Sequence, residues 1–319
     1  MTSNIRTVGV VGTGVIGSSW TALFLARGLR VLVSDPGIDA EKKLAADLKE
    51  YWPALEAIGL APGASLSNYE FVGPTLKYRY QEVDFIQENA PERADLKTNL
   101  VGEIDAGARP DVVIASSSSG LPSSKFVGEC KKNPGRVLIG HPFNPPHLLP
   151  LVEVVPHPGT DAASVQAALE FYRSVGKYAV HVKQEVPGHI ANRLQAALTV
   201  EAYSLVARGV LSAEDLDACV TTSLGPRWAL TGPIMSQAFG GGGGPEGLRH
   251  LIQHIGPGMR VWLEDMNAHP FDFGEKSIDT LVEGVRESFD HHSAKHVEEQ
   301  KDKVLIQLLK LKATAPDII

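Results

Sequence analysis

His141 and Glu153 are the side chains in this sequence best suited to move a proton. Glu153 lies inside an apolar run, residues 151–155, where an unpaired carboxylate costs several kcal/mol. His141 is the nearest attractive partner, twelve residues earlier, across a proline-rich reversal. Two interpretations stay open at this point: a His-Glu pair built for chemistry, or a structural ion pair of Glu153 beside a histidine that caps a turn.

A paired imidazole has a defined chemistry. A carboxylate on one ring nitrogen fixes the tautomer and raises the basicity of the ring, which suits a general base near neutral pH. Removing a hydroxyl proton while the carbon loses a hydride is such a task. A serine run, residues 116–119, follows another predicted strand, and a serine hydroxyl can donate to a carbonyl or a developing alkoxide.

A glycine motif near the N-terminus indicates where a hydride acceptor binds. The segment GTGVIG, residues 12–17, joins a predicted strand to a predicted helix, and a second strand ends at Asp35, 18 residues further on. This is the dinucleotide-binding fingerprint. Gly12 permits the turn, Gly14 lets the backbone approach the pyrophosphate, and Gly17 allows the helix to pack closely on the strand.

The residues around this motif predict which dinucleotide binds. Val15 and Ile16 begin a helix whose N-terminus faces the negative charge of the phosphates. Asp35 is placed to accept hydrogen bonds from the ribose hydroxyls, and its carboxylate repels a 2′-phosphate. The following residues, 36–38, supply no arginine to neutralise such a phosphate. The sequence therefore predicts NAD as the cofactor rather than NADP.

These groups need a parallel sheet to position them. Short β-branched runs alternate with amphipathic stretches over the first part of the chain, which is typical of βαβ units. Helical spacing of apolar residues predicts helices over residues 44–58 and 165–175. The predicted strands cover residues 7–11, 30–34, 83–86, 111–115, 136–140, 151–155 and 178–182.

The pattern changes to long helical periodicity near residue 187. The predicted fold is therefore α/β, with residues 1–186 forming an NAD-binding Rossmann-type domain around a doubly wound, mostly parallel sheet. Residues 187–319 form an all-helical substrate and dimerisation domain that ends in a helix over residues 293–312. The glycine run at residues 240–244 lacks the Lys and Ser/Thr of a P-loop and predicts a flexible connection between helices.

The amino-acid composition excludes several classes of binding partner. The chain has 319 residues and a formal net charge of −7, without a basic stripe that could bind nucleic acid. Its two cysteines form neither a disulfide framework nor a thiolate metal site, so no metal is expected. No membrane-spanning run, N-terminal signal pattern or C-terminal peroxisomal address is present in the sequence, which predicts a cytoplasmic protein.

Five motifs resemble a known family. In chain order they are VGVVGTGVIGSSW, FIQENAPERADLK, ASSSSGL, GHPFNPPHLLPLVEVV and EVPGHIANRL. Together they resemble the 3-hydroxyacyl-CoA dehydrogenase superfamily, and the resemblance covers essentially the whole chain. It is closest to the λ-crystallin/L-gulonate 3-dehydrogenase and L-carnitine dehydrogenase branches, which act on free 3-hydroxy acids.

The resemblance implies roles for individual residues. It implies that His141 is the catalytic base and that Glu153 orients it. Ser117 stands where the acyl-CoA enzymes commonly have Asn, and His189 stands where Phe is usual, facing either the cleft or the surface. The residues implied to hydrogen-bond the substrate are Ser119 and Asn192. The residues implied to lie along the cofactor are Glu92, Lys97, Ser117 and Asn144.

The segment GPRWALTGP bears on the substrate. In the free-acid branches a similar stretch carries an arginine and an aromatic residue, and an arginine fork binds a carboxylate bidentately. Arg227 and Trp228 are therefore predicted to bind the acid, the alternative being a surface or interdomain ion pair for Arg227 and a core position for Trp228. The trimethylammonium group of carnitine needs an aromatic cage, for which Phe143, Trp228 and Phe239 are candidates.

The main expectation is NAD-dependent oxidation of the 3-hydroxyl of a small free acid, similar to L-gulonate, to the 3-oxo acid. The segments NPPHLLPLVEVVPHP and NRLQAA favour the gulonate branch, whereas WPALEAIGLAPGAS and GPRWALTGP favour L-carnitine. A 3-hydroxyacyl-CoA substrate and a crystallin-like structural protein that keeps NADH are further alternatives. The expected partners are this small molecule and a second copy of the chain, paired through the helical domain, without nucleic acid or membrane.

Overall fold

The computed structural model describes residues 5–289, 293–315 and 317–318. The chain divides into two compact units, the first ending at Arg193 and the second beginning at Leu194. Each unit is described by itself. The division lies seven residues beyond the boundary predicted at 186/187, and the hydrogen bonds that tie residues 188–192 to the first unit account for the difference.

An eight-stranded sheet forms the centre of the first unit. Its order is β3-β2-β1-β4-β5-β6-β7-β8, and neighbouring strands are parallel except for the antiparallel pair β6 and β7. The strands are β1 (Thr7–Val11), β2 (Arg30–Ser34), β3 (Tyr69–Phe71), β4 (Phe85–Glu88), β5 (Val113–Ser116), β6 (Val137–Pro142), β7 (Leu151–Pro156) and β8 (Tyr178–His181).

Helices cover both faces of this sheet. They are α1 (Val15–Ala26), α2 (Ala40–Ile58), α3 (Ala94–Gly107) and α4 (Ala162–Ser174). On one face Trp20 and Phe24 pack with Phe171 and Tyr172, and a second apolar cluster fills the other face around Ile104. The strand order reverses between β1 and β4, so a crevice opens at their carboxyl ends, which is where open α/β sheets bind ligands.

All seven predicted strands are confirmed, with shifts of one or two residues at several of their ends. The strand predicted at residues 83–86 lies two residues later because Gln87 and Glu88 continue the pairing with β5. The edge strand β3 was not predicted, since its three residues are too few for an alternating pattern to stand out and none of them is fully buried. Both predicted helices of this unit are present.

The second unit is all-helical, as predicted. Its helices are α5 (Ala191–Ala207, which begins in the first unit), α6 (Ala213–Cys219), α7 (Gly225–Gly240), α8 (Gly244–Ala268), α9 (Glu275–Ser288) and α10 (Ala294–Ala313). The glycine run connects α7 to α8, and the two helices approach so closely that a Cβ on Gly241 would overlap the carbonyl oxygen of Gly247. Within the described ranges, no helix has the length and apolar character needed to cross a bilayer.

Candidate active site

The glycine loop has the shape that a pyrophosphate requires. Gly12 adopts φ 91°, and a Cβ there would come within 2.9 Å of the Asn89 carbonyl oxygen. A Cβ on Gly17 would overlap the carbonyl oxygen of Gly12, so only glycine lets α1 pack against this turn. By contrast, a Cβ on Gly14 would meet nothing within 4 Å. The loop is therefore closed on the protein side and open at Gly14.

The start of α1 completes this cradle. Val15 and Ile16 are its first residues, no side chain caps the helix, and its first turn contains no acidic residue. The backbone N–H groups of a first helical turn lack partners within the helix and carry partial positive charge, so they attract phosphate. Val15 is 59% exposed, which keeps this end of the helix accessible. The residues present fit a bound dinucleotide.

Asp35 lies at the end of β2 and is tied to the glycine loop. One carboxylate oxygen accepts hydrogen bonds from the backbone N–H and the hydroxyl of Thr13, at 2.6 and 2.9 Å. The other oxygen accepts from the N–H of Gly37 at 2.7 Å. The negative charge is thereby held beside the loop, where it can accept from ribose hydroxyls and repel a 2′-phosphate.

Replacing Asp35 by Asn is expected to shift cofactor preference toward NADP. The amide keeps the size of the side chain but loses the charge, so NADH binding weakens about tenfold and NADPH binding strengthens. Fluorescence titration with the two reduced cofactors measures both constants without needing a substrate. The exposed Asp39, changed to Asn, is the control and should alter neither. An unchanged ratio of the two affinities in Asp35→Asn would contradict this role.

The histidine and the glutamate singled out by the sequence face each other across β6 and β7. They are register partners in this antiparallel pair, and Nδ1 of His141 lies 2.8 Å from Oε2 of Glu153. Both side chains are buried. Because the carboxylate oxygen accepts, Nδ1 carries the proton and Nε2 carries the lone pair. Nε2 is therefore the atom that can accept a proton.

The second oxygen of Glu153 holds the start of α5. Oε1 accepts the backbone N–H groups of Ile190 and Ala191 at 2.9 and 3.0 Å. Burial alone would raise the pKa of Glu153, but the hydrogen bonds from His141, Ala191 and Ile190 outweigh it and hold the pKa below its ordinary value. The carboxylate thus stays ionised and fully hydrogen-bonded, as a partner that orients an imidazole must be.

The serine run forms a loop at the carboxyl end of β5. Ser119 is exposed, and its carbonyl oxygen accepts a hydrogen bond from the side-chain amide of Asn192 at 2.8 Å. Glu92 holds the same loop through bonds from the Ser118 hydroxyl and the N–H groups of Gly120 and Leu121. Burial opposes the charge of Glu92, yet these donors keep its pKa below the ordinary value.

Ser117 is the hub of a buried network that the sequence did not reveal. Its hydroxyl donates to Oδ1 of Asn89 at 2.7 Å and accepts from Trp20 at 3.1 Å and from Gln87 at 2.8 Å. The hydroxyl of Tyr172 donates to the other end of Gln87. The Ser117 hydroxyl proton is committed to Asn89, so this hydroxyl ties the loop after β5 to the residue that follows β4. The polar pair Gln87-Glu88 inside an apolar strand was the available signal.

Lys97 and Asn144 occupy contrasting positions. Lys97 is buried and donates to both carboxylate oxygens of Glu88 and to the Ala90 carbonyl oxygen, each at 2.9 Å. These bonds hold the end of β4 and the residues that follow it in place. Asn144 is exposed in the reversal between β6 and β7 and precedes Pro145, so its amide is free to face a cofactor.

His189, left open between cleft and surface by the sequence, is fully buried beside His141. The two imidazole centroids are 5.3 Å apart, and Nε2 of His189 lies 3.0 Å from the Ser118 carbonyl oxygen. Since a carbonyl can only accept, Nε2 of His189 is protonated and committed to this bond. Burial also lowers the pKa of His189. His141, held by a carboxylate, is therefore the better general base of the two.

Arg227 and Trp228 lie on α7 in the second unit, Arg227 exposed and Trp228 half-buried. The nearest partner of the Arg227 guanidinium is the Ser236 carbonyl oxygen at 3.5 Å, so the fork retains donors for an anion. Among residues 5–289, 293–315 and 317–318, no group of three His, Cys, Asp or Glu side chains is arranged to hold a metal ion.

Comparison with known families agrees with this architecture. Residues 7–186 match the model for the NAD binding domain of 3-hydroxyacyl-CoA dehydrogenase, and residues 188–283 match the model for its C-terminal domain. The chain belongs to the 3-hydroxyacyl-CoA dehydrogenase family.

Individual relatives carry two different names. A 3-hydroxyacyl-CoA dehydrogenase of Gibberella moniliformis is 54% identical over 98% of this chain and 96% of the relative. An L-carnitine dehydrogenase of Streptomyces coelicolor is 42% identical over 96% and 95%. Among solved structures, the NAD⁺-dependent 5-formyl-3-hydroxy-2-methylpyridine 4-carboxylic acid 5-dehydrogenase superposes with a TM-score of 0.75 at 27% identity, covering 96% of this chain and 98% of that chain. The protein is an NAD-dependent dehydrogenase of the 3-hydroxy acid class.

Proposed function

We propose that the protein oxidises the 3-hydroxyl of a small free hydroxy acid to the 3-oxo acid, with L-carnitine as the first substrate to test. The main support for this type of reaction is the hydrogen bond from Nδ1 of His141 to ionised Glu153, which leaves Nε2 free to act as a base. NAD, when bound, accepts the hydride that leaves C3. The proton of the hydroxyl passes to Nε2 of His141 as the C3–O double bond forms.

The remaining polar groups have roles that follow from this transfer. Protonation makes His141 an imidazolium, which the Glu153 carboxylate stabilises at 2.8 Å. The exposed hydroxyl of Ser119 donates to the substrate oxygen, and the Asn192 amide, bonded to the Ser119 carbonyl oxygen, holds that residue in place. In the reverse direction the imidazolium returns its proton to the oxygen at C3.

Two observations favour carnitine over the gulonate-like acid expected from sequence, which is not confirmed. The L-carnitine dehydrogenase relative is similar over nearly the whole chain. In the site itself, the ring of Phe143 stands edge-on to His141 with centroids 5.5 Å apart, so an aromatic surface adjoins the base. A quaternary ammonium group is attracted to such a surface.

A second candidate is a 3-hydroxyacyl-CoA thioester. The relative from Gibberella moniliformis, 54% identical to this chain, carries that name. The same His-Glu pair serves either substrate, because the reacting carbon is a secondary alcohol in both. What separates them is the acyl carbon C1, two bonds from C3, which is a carboxylate in the free acid and an uncharged thioester in the other substrate.

A substrate panel tests the proposal directly. NADH formation is followed with L-carnitine, L-gulonate, 3-hydroxybutyrate and 3-hydroxybutyryl-CoA. Turnover of L-carnitine with the highest kcat/KM supports the proposal, whereas turnover of the thioester alone overturns the free-acid assignment. Tight NADH binding without turnover of any of the four would favour the crystallin-like structural role.

Arg227 provides a sharper test of the free acid. Replacing Arg227 by Met should raise KM for the free acid about tenfold or more, because a charge-assisted pair to its carboxylate is lost. KM for the CoA thioester should not change, since it lacks that carboxylate. The exposed Arg260 on α8, changed to Met, is the control for loss of positive charge in the same unit. Equal effects of both variants on the free acid would remove Arg227 from the site.

We also propose that the protein is a homodimer paired through its helical unit. Large apolar side chains are exposed there, and exposed apolar side chains of this size are typical of surfaces that bind a protein partner. Multi-angle light scattering measures the mass, and a monomer at micromolar concentration would contradict the proposal. The exposed apolar residues include Leu194, Ile252, Trp262, Leu263, Val282 and Val285.

A further inference from the structure

One turn connects the two halves of the proposed catalytic site. Residues 186–192 lie between the last strand and the first residues of α5, and the backbone enters left-handed conformations at Gly188 (φ 76°) and His189 (φ 51°). These conformations bring the turn back over the serine loop. On its other side, the N–H groups of Ile190 and Ala191 bond Glu153.

The turn contacts the serine loop at three successive carbonyl oxygens. The His189 ring donates to Ser118 at 3.0 Å, and the Asn192 amide donates to Ser119 at 2.8 Å. The Gly188 N–H approaches the Gly120 carbonyl oxygen at 3.5 Å. The Ser118 carbonyl belongs to the peptide that leads into Ser119, so its orientation sets the backbone position from which the Ser119 side chain projects.

The chemical state of His189 is fixed by its surroundings. Its Nε2 is protonated because it faces a carbonyl, and its buried Nδ1 has no hydrogen-bond partner among the described residues. Protonation at Nδ1 would therefore bury a charge without an acceptor. Burial is the main cause that lowers the pKa of His189, and the charge of His141 adds to it, while Ser118, Glu153 and Glu92 oppose it. His189 accordingly acts as a neutral donor.

We propose that His189 is a positioning residue, which holds the Ser118 carbonyl and so fixes the Ser119 hydroxyl relative to the His141–Glu153 pair. The inference rests on the proposed function for the meaning of Ser119, but the contact itself is independent of any substrate. A phenylalanine at this position can fill the same space without donating a hydrogen bond.

Two substitutions separate the donor from the volume. His189→Phe keeps an aromatic ring and removes the donor, whereas His189→Gln places an amide nitrogen near the position of Nε2 and retains it. Hydrogen exchange of the peptide spanning residues 116–122 is measured by mass spectrometry on the full-length chain without ligand. Exchange should rise about tenfold in His189→Phe and stay near the wild-type rate in His189→Gln.

Kinetics test whether the contact serves the reaction. With the best substrate of the panel, His189→Phe should lower kcat about tenfold with little change in KM for NAD, and the isotope effect with 3-deuterated substrate should increase. His189→Gln should restore both. A variant that only lost folded protein would show a lower rate with an unchanged isotope effect.

His157 offers a matched control. It is also buried, and its Nε2 lies 3.1 Å from the Pro134 carbonyl oxygen, away from the serine loop. His157→Phe should leave loop exchange and the isotope effect unchanged. Unchanged loop exchange in His189→Phe overturns the proposal, as does altered exchange with normal kcat. If no substrate of the panel is turned over, the proposed function fails, while the exchange result still decides whether His189 holds the loop.

Discussion

Changing Glu153 to Gln is expected to lower kcat by about 10²–10⁴-fold while the protein stays folded. The reason lies in the two backbone N–H groups of Ile190 and Ala191, which point at Oε1. They require an oxygen at that position, so the glutamine must turn its amide nitrogen toward His141. That nitrogen donates to Nδ1 and forces the imidazole proton onto Nε2. The base then has no lone pair facing the substrate.

Glu185 supplies the control for this substitution. Its carboxylate accepts from the Ser123 hydroxyl and the Ser124 N–H at 3.1 and 3.0 Å, and neither residue is in the proposed site. Glu185→Gln should change kcat less than twofold. The Glu153→Gln variant should bind NADH normally in a fluorescence titration. A kcat within threefold of the wild-type value would show that Glu153 does not select the tautomer of His141.

The same residue makes stability depend on pH. Because the folded pKa of Glu153 lies below its ordinary value, its ionised form contributes stability above the unfolded-state pKa of about 4.3, and this is lost as pH falls through the folded pKa. The difference in free energy of unfolding between wild type and Glu153→Gln, about 2 kcal/mol at pH 7, should therefore narrow below pH 4. Urea unfolding of both proteins at several pH values measures this change.

Most of the fold could be predicted from the sequence because the strands are short, apolar and regularly spaced. All seven predicted strands are present; Gly12 lies in the turn after β1, Gly17 lies in the first turn of α1, and Asp35 directly follows β2. The edge strand Tyr69–Phe71 carried too few buried residues to produce a pattern. Its position depends on pairing with β2, which is a long-range contact and leaves no local trace.

The His141–Glu153 pair could be predicted because burial of a carboxylate demands a partner and the two residues flank one reversal. Other contacts of the candidate site could not be predicted from the sequence. The bonds from Ile190 and Ala191 to Glu153 join residues 37 and 38 positions apart, through backbone groups that every residue has. The network around Ser117 likewise depends on which side chains the sheet brings together. The type of a side chain shows that it can form hydrogen bonds, but its partner depends on which residues the fold brings close to it.

Changing His141 to Asn is expected to abolish most oxidation, with kcat reduced about 10²–10⁴-fold. The asparagine amide reaches the position of Nδ1 and can still donate to Oε2 of Glu153, so the buried carboxylate remains paired and the protein folds. No atom replaces Nε2, so the hydroxyl proton of the substrate has no acceptor in the site. Steady-state NADH formation with the best panel substrate measures the loss.

Two further observations distinguish a lost base from a damaged fold. The rate of His141→Asn should rise as pH increases, because hydroxide or water must now remove the proton that the imidazole removed. His181→Asn, an exposed histidine on β8, should behave like the wild type. A His141→Asn enzyme with more than one tenth of the wild-type kcat would assign the proton to another group. His189 is not that group, because its Nε2–H is bonded to the Ser118 carbonyl oxygen and its unprotonated Nδ1 is buried.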